Sequence, residues 1–283
     1  MIIDGKQIAG EIREKLKQQI EQLPASSVKP GLAVILIGDH PPSQIYVKNK
    51  EKCAREVGIQ SKILKFENTI TEQDLIKKIH TLNNDKTIHG ILVQLPLPSH
   101  IDPKKIISEI SPEKDVDGFH PLNVGNLSTG SDALVPCTPY GCYLLLKKVI
   151  PNLTGMHAVI IGRSNINGKP MAQLLLQEDC TVTITHSKSK NLKELCLNAD
   201  ILIASVGKPH LVKADWVKKD CVVIDVGINR IMKDGVKKIV GDVDFENIKN
   251  KVKAITPVPG GVGPMTISCL LNNTFLAYKK IVF

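Results

Sequence analysis

The feature that most limits the fold of this chain is a recurring one: short apolar runs, closed by glycine or proline, alternate with helical patterns. GLAVILIG (31–38), HGILVQLPLP (89–98), HAVIIG (157–162), ADILIASVG (199–207) and CVVIDVG (221–227) are such runs. Val, Ile and Leu without polar alternation suit strands buried on both faces, as parallel strands are. Aromatic residues are only 4% of the chain, so aliphatic side chains must fill the core. Strands alternating with helices imply parallel sheets with helices on their faces. A length of 283 residues exceeds the usual single domain.

The alternation falls into two series. In the first, a strand at 31–38 leads to a helix from Ser43 to Val57, stopped by Gly58, and then a strand from Lys62 to Phe66. Thr71 caps a helix running through Asn83, with Glu72 and Asp74 in its first turn. The polar stretch 111–132 reads as a loop, and a loop of that length in a compact protein is usually functional. A helix from Tyr140 to Val149 leads into the second series. Its strands are expected at 157–162, 181–185, 199–207, 221–227 and 253–260, with helices at 168–178 and 190–197. A final helix runs from about Pro264 to Lys280. The fold class is therefore α/β in two domains, the second a Rossmann-like, doubly wound nucleotide-binding type.

Composition excludes several function classes. The formal charge of +9 comes mostly from lysines spread along the chain, with no interleaved aromatic and basic motif, so no nucleic-acid partner is expected. Asp4, Lys6 and Glu11 interrupt any apolar leader, and no run approaches the roughly 18 apolar residues of a membrane span. Seven cysteines include no CxxC pair, and Cys137 and Cys142 have no histidine nearby. The expectation is reduced structural thiols, a cytoplasmic setting and no metal site.

HAVIIGRSNINGKPMAQLLL reads as a strand, a glycine turn and an amphipathic helix, an arrangement whose free amides and dipole favour a pyrophosphate. The spacing from Gly162 to Gly168 departs from GxGxxG, so the turn alone says little. The next strand says more. An NAD site usually ends it with an acid for the ribose 2′-hydroxyl. Here TVTIT is followed by His186, Ser187, Lys188 and Ser189, and Arg163 and Ser164 occupy the first turn. These groups suit a 2′-phosphate, with arginine donating two bonds at once, although 186–189 also fits a solvated helix cap. NADP is favoured over NAD.

On the helix SQIYVKNKEKCAREVG, Lys50 shares a face with Tyr46, Val47, Cys53, Ala54 and Val57. An amine stripped of water there is suited to exchanging protons. From periodicity alone, a lysine whose stem packs and whose head reaches water is the favoured reading. Gln94 follows a buried strand at its carboxyl end, where ligands of α/β sheets gather, a place that equally suits a loop-closing glutamine. Asp115 and Asp117 lie in KDVDG, where either can cap a turn with Gly118. In PVPGGVGPMT (257–266) prolines alternate with glycines before a helix start, which lets backbone approach a ligand closely.

YVKNK (46–50), VQLPLP (93–98), KDVDG (114–118), GRSNINGKPM (162–171) and PGGVGPMT (259–266), in this order, resemble the bifunctional methylenetetrahydrofolate dehydrogenase/cyclohydrolase family, the FolD type. The resemblance spans essentially the whole chain. It implies that Lys50 is the catalytic lysine, that Tyr46 stacks on the benzoyl ring of the folate, that Gln94 hydrogen-bonds the lysine and that Asp117 holds the pterin. It implies cofactor contacts from Gly162, Arg163, Ser164, Gly168, Ser187, Lys188 and Ile228, and a folate–nicotinamide cleft lined by Pro259, Gly260 and Gly261. The implied domains are 1–138 plus 266–283, catalytic and folate-binding, and 139–265, NADP-binding, with the last helix returning to the first. The implied partners are a tetrahydrofolate substrate, in some forms polyglutamylated, and a second copy in a homodimer. The implied setting is one-carbon metabolism feeding purine biosynthesis. A shikimate-type NADP dehydrogenase and a catalytically silent folate or NADP sensor are the alternatives.

Overall fold

In the computed structural model of the protein, which describes residues 1–233 and 235–283, the apolar runs pair into two parallel sheets. The chain begins with α1 (Gly5–Glu21), β1 (Gly31–Ile37), α2 (Pro41–Glu56), β2 (Gln60–Phe66), α3 (Glu72–Asn84), β3 (Gly90–Val93), α4 (Pro103–Ser108) and α5 (Pro121–Thr129). It continues with α6 (Cys137–Val149), β4 (His157–Ile161), α7 (Gly168–Gln177), β5 (Thr181–Thr185), α8 (Leu192–Leu197), β6 (Ile201–Ala204) and β7 (Val222–Asp225). The hairpin β8 (Asn229–Lys233) and β9 (Val236–Val240), α9 (Phe245–Ile248), β10 (Ala254–Ile255) and α10 (Val262–Val282) complete it.

Two units result, Gly10–Cys137 with Ile267–Phe283, and Met1–Ala9 with Thr138–Thr266. By contact, residues 1–9 group with the second of these units. The free edge of β10 explains this: Ile3 N–H donates to Ile255 O at 2.9 Å, and Lys6 N–H donates to Gly260 O at 3.0 Å.

The first unit holds a three-stranded parallel sheet in the order β2-β1-β3. Every residue of β1 and β3 is buried, as unbroken aliphatic runs require. Leu75, Ile79 and Leu82 of α3 pack on Ile35 and Ile91 together with Ile106. Burying each such side chain stabilises the unit by about 1.5–3 kcal/mol. Thr71 caps α3 as expected, its hydroxyl accepting Asp74 N–H at 3.1 Å. The last helix returns to this sheet: Asn273 of α10 donates to Val116 O at 2.9 Å and to Val135 O at 2.8 Å.

The second unit is a five-stranded parallel sheet in the order β10-β7-β6-β4-β5. The chain passes from β4 to β5 on one side and then crosses to β6 on the other. The crevice between the carboxyl ends of β4 and β6 is therefore the switch point at which doubly wound sheets bind ligands.

Several expectations needed revision. The stretch 111–132 is not wholly loop: Pro121 starts α5, the His120 ring accepts Leu122 N–H at 3.1 Å, and Gly130 ends it in the left-handed conformation. The apolar residues of α5, Leu122, Val124 and Leu127, are too sparse to announce a helix, yet Leu127 is buried. The strand expected at 89–98 covers only Gly90–Val93, and that at 253–260 only Ala254–Ile255. Prolines that cannot donate to a ladder end both runs early. Helix α1, α4 and the β8–β9 hairpin have no counterpart among the expected elements.

Candidate active site

In the first unit, Ser43, Val47, Lys50 and Ala54 form the buried stripe of α2, at spacings of four, three and four residues. Lys50 is only 8% exposed. Its Nζ donates to Gln94 Oε1 at 3.0 Å, so the head group does not reach out to water as a snorkelling lysine would. Gln94 sits one residue beyond β3. Its backbone N–H extends the sheet to Ile35 O at 2.9 Å, and its Nε2 donates to Leu95 O at 2.8 Å. That second bond fixes which end of the amide faces the lysine. Tyr46, one turn before Lys50, keeps 38% of its surface exposed.

Asp117 lies close enough to Lys50 for the ammonium to favour its charged form. Burial outweighs that attraction and, with repulsion from Asp115, pushes the Asp117 carboxyl up to about 6. The loop is rigidly built. Asp115 accepts His120 N–H at 2.7 Å and Asn123 Nδ2 at 3.0 Å, and burial raises its carboxyl too. Gly118 adopts φ +74, and a Cβ there would stand 2.6 Å from Leu134 O, so glycine is required. Lys50, Gln94 and Asp117 are thus brought together by α2, the end of β3 and a loop braced by α10.

In the second unit, β4 and β5 run side by side, with Gly162 N–H donating to Thr185 O at 3.0 Å. The turns at 162–164 and 186–188 therefore leave the same sheet end as neighbours. Arg163, Ser164, Ser187 and Lys188 are all exposed there. Gly162 has φ +122, and a Cβ on it would overlap Ser205 O. A Cβ on Gly168 would overlap Gly162 O, so α7 starts directly against the turn. This is the tight cradle a pyrophosphate needs. Ser164 Oγ accepts Asn167 N–H at 3.1 Å and so also caps that turn. The 186–189 segment is closed by its own bonds, His186 N–H to Ser189 Oγ at 2.9 Å and Lys188 N–H to His186 Nδ1 at 3.1 Å, which leaves the Lys188 side chain outward. A small hollow beside the cradle is lined by Asn167, Gly168, Met171, Ile203, Ser205 and Val226. Ile228, 51% exposed, follows β7. Pro259, Gly260 and Gly261 follow β10, with Gly260 at φ +105.

Two residues of this unit escaped sequence reasoning. Asp225 and Asp242 are buried side by side behind the ends of β6 and β7. Burial pushes the Asp225 carboxyl up to about 7, although three backbone N–H groups favour its charged form. The only signal in the sequence is an acid closing an otherwise apolar strand, VVID. Among the described residues, no group of three or more His, Cys, Asp or Glu is placed to hold a metal, and all seven cysteines are free. Among the same residues, no helix is long and apolar enough to cross a membrane.

Comparison with known proteins places this geometry. The tetrahydrofolate dehydrogenase/cyclohydrolase catalytic-domain family matches residues 3–117, and the corresponding NAD(P)-binding domain matches residues 136–282. The chain is 61% identical over 281 residues to the bifunctional protein FolD of Pelagibacter ubique, covering 99% of each. The crystal structure of the FolD methylenetetrahydrofolate dehydrogenase/cyclohydrolase from Campylobacter jejuni superposes with a TM-score of 0.96 at 48% identity, covering 99% of each chain. The Trypanosoma brucei enzyme, solved with NADP cofactor and inhibitor, superposes at 0.95 with 36% identity, covering 99% of this chain and 97% of that one.

Proposed function

The chain belongs to the tetrahydrofolate dehydrogenase/cyclohydrolase family, and on that premise we propose how its residues carry out both reactions. It is an NADP-dependent enzyme that oxidises 5,10-methylenetetrahydrofolate to the 5,10-methenyl form and hydrolyses that product to 10-formyltetrahydrofolate. The observation that carries the mechanism is the half-buried Lys50–Gln94 bond.

The glycine cradle at 162–168 fits a pyrophosphate, and the exposed Arg163, Ser187 and Lys188 fit a 2′-phosphate. NADP, when bound, accepts the hydride that leaves the methylene carbon, and the folate becomes the methenyl cation. The protein's part in that step is orientation. Tyr46 offers an exposed ring for the benzoyl group. Asp117, when ionised, accepts hydrogen bonds from the pterin amino and ring nitrogens. Pro259, Gly260 and Gly261 present backbone without intervening side chains, and Ile228 supplies an apolar contact.

Hydrolysis needs protons moved as well. Water attacks the methenyl carbon and loses a proton; the hydroxyl so formed loses its proton as the formyl carbonyl forms and the bond from that carbon to N5 breaks, and N5 takes up one of the two protons. One proton is released overall. Lys50 is the group that accepts and returns protons, and Gln94 holds its amine in place through an oxygen whose orientation the Leu95 carbonyl fixes.

The same reading extends to the setting. β5 is an edge strand with Ile184 exposed, which supports a homodimer formed through the nucleotide unit. Free thiols support a reducing cytoplasm, and the lysine-rich surface supports binding of polyglutamylated folate. The product feeds one-carbon transfer into purine biosynthesis. The test is to mix the enzyme with methylenetetrahydrofolate and NADP and follow NADPH and methenyl absorbance together. NADPH formation followed by decay of the methenyl band is expected; absence of either step refutes the corresponding activity.

A further inference from the structure

Asp242 is fully buried, and its carboxylate takes four donors. Oδ2 accepts Val206 N–H at 2.7 Å and Gly207 N–H at 3.0 Å, while Oδ1 accepts Lys208 N–H at 2.8 Å and Asn229 Nδ2 at 2.9 Å. Three successive amides thus converge on one carboxylate, a concavity that elsewhere holds free anions. Asp225 seats it from behind. Its Oδ1 accepts the N–H groups of Gly227 at 3.0 Å and Asp242 at 2.9 Å, and its Oδ2 accepts Val243 N–H at 2.9 Å. Asp225 N–H in turn donates to the buried Thr256 Oγ1 at 2.8 Å. One network therefore ties together the carboxyl ends of β6, β7 and β10.

These strand ends flank the cofactor cradle. Ser205 and Val206 pack against Gly162, and Ser205 and Val226 line the hollow beside Gly168. The residues that suit a 2′-phosphate after β5, Ser187 and Lys188, lie on one side of β4. A dinucleotide whose pyrophosphate sits on the Gly162 turn must then extend its other half over β6 and β7. We infer that Asp242, seated by Asp225, is the positioning residue for the nicotinamide half of the cofactor, holding the Val206–Lys208 turn and Asn229 in the shape that half requires. This inference rests on the NADP-dependent reading of the site.

Only a carboxylate can fill this position, because all four partners are donors. Asparagine would turn an NH2 group toward two of them whichever way it is rotated. The test is to measure by fluorescence titration the binding of NADPH and of 2′,5′-ADP, which fills only the adenosine half, to the wild type and to Asp242→Asn. The expected result is that NADPH affinity falls at least about tenfold, while 2′,5′-ADP affinity changes much less. A parallel rise in the NADP KM of the dehydrogenase, exceeding any change in the methenyl-folate KM of the hydrolysis, is the kinetic counterpart. Equal weakening of both ligands, or of neither, overturns the inference. Should Asp242→Asn fail to fold, Asn229→Ala removes a single donor, and the same split at smaller size is expected; no split overturns it. A wild type that binds 2′,5′-ADP and NADPH no better than NADH would instead refute the NADP reading.

Discussion

Lys50 Nζ donates to Gln94 Oε1 at 3.0 Å, joining the buried face of α2 to the carboxyl end of β3 in the first unit's sheet. A lysine in the middle of an apolar helical stripe costs stability unless its amine is partnered. Here the partner is a neutral amide, which holds the amine without neutralising it as a carboxylate would. The arrangement leaves protons of the amine available for transfer.

Replacing Lys50 by Met keeps the stem's length and packing, and Met is a good helix former. Hydrolysis of methenyltetrahydrofolate should then fall about 10²–10⁴-fold, as loss of an acid–base group typically costs. Hydride transfer moves no proton through the lysine, so NADPH formation should fall less. Hydrolysis at near wild-type rate would reduce Lys50 to a packing residue.

Asp117 gives a pH signature. With its pKa raised to about 6, the carboxylate proposed to hold the pterin is lost as pH falls through that value. Its kcat/KM for methylenetetrahydrofolate should decline accordingly below pH 6. Stability runs the other way. A carboxyl raised above its unfolded value of about 3.9 contributes stability that is fully present below that value and lost as pH rises through about 6. Asp117→Asn should therefore unfold at pH 8 no earlier than the wild type while losing activity and the pH dependence near 6. Thermal unfolding and kinetic profiles across this range test both halves.

Cofactor choice should lie with the paired turns after β4 and β5. Converting Arg163 and Lys188 together to Ala removes two charged donors, and the KM for NADP should rise about tenfold or more, with little change for NAD. Equal effects on both cofactors would place these side chains outside the 2′-phosphate site.

Neither reaction calls for a Lewis acid. Extensive dialysis against EDTA should leave both activities intact. Turnover that disappears and returns with zinc or magnesium would contradict this.

The sequence by itself determined the architecture. Unbroken aliphatic runs such as GLAVILI and HAVII can only be satisfied as doubly covered parallel strands, and their alternation with helices dictates the α/β plan. The Gly162–Gly168 turn, the phosphate-suited residues after β5 and the place of Lys50 on the apolar stripe of α2 were also legible, because each depends on contacts within a few residues. The tertiary structure decided what depends on distant segments. Periodicity favoured a snorkelling Lys50; only the approach of Gln94, 44 residues away, gives its amine a half-buried partner. The sparse apolar content of α5 hid a helix that packing completes. Residues 1–9 join the nucleotide unit because β10 offers a free edge. Asp242 reads as an ordinary loop acid until Val206, Gly207, Lys208 and Asn229 are folded around it, since no local pattern records which amides will lack another acceptor.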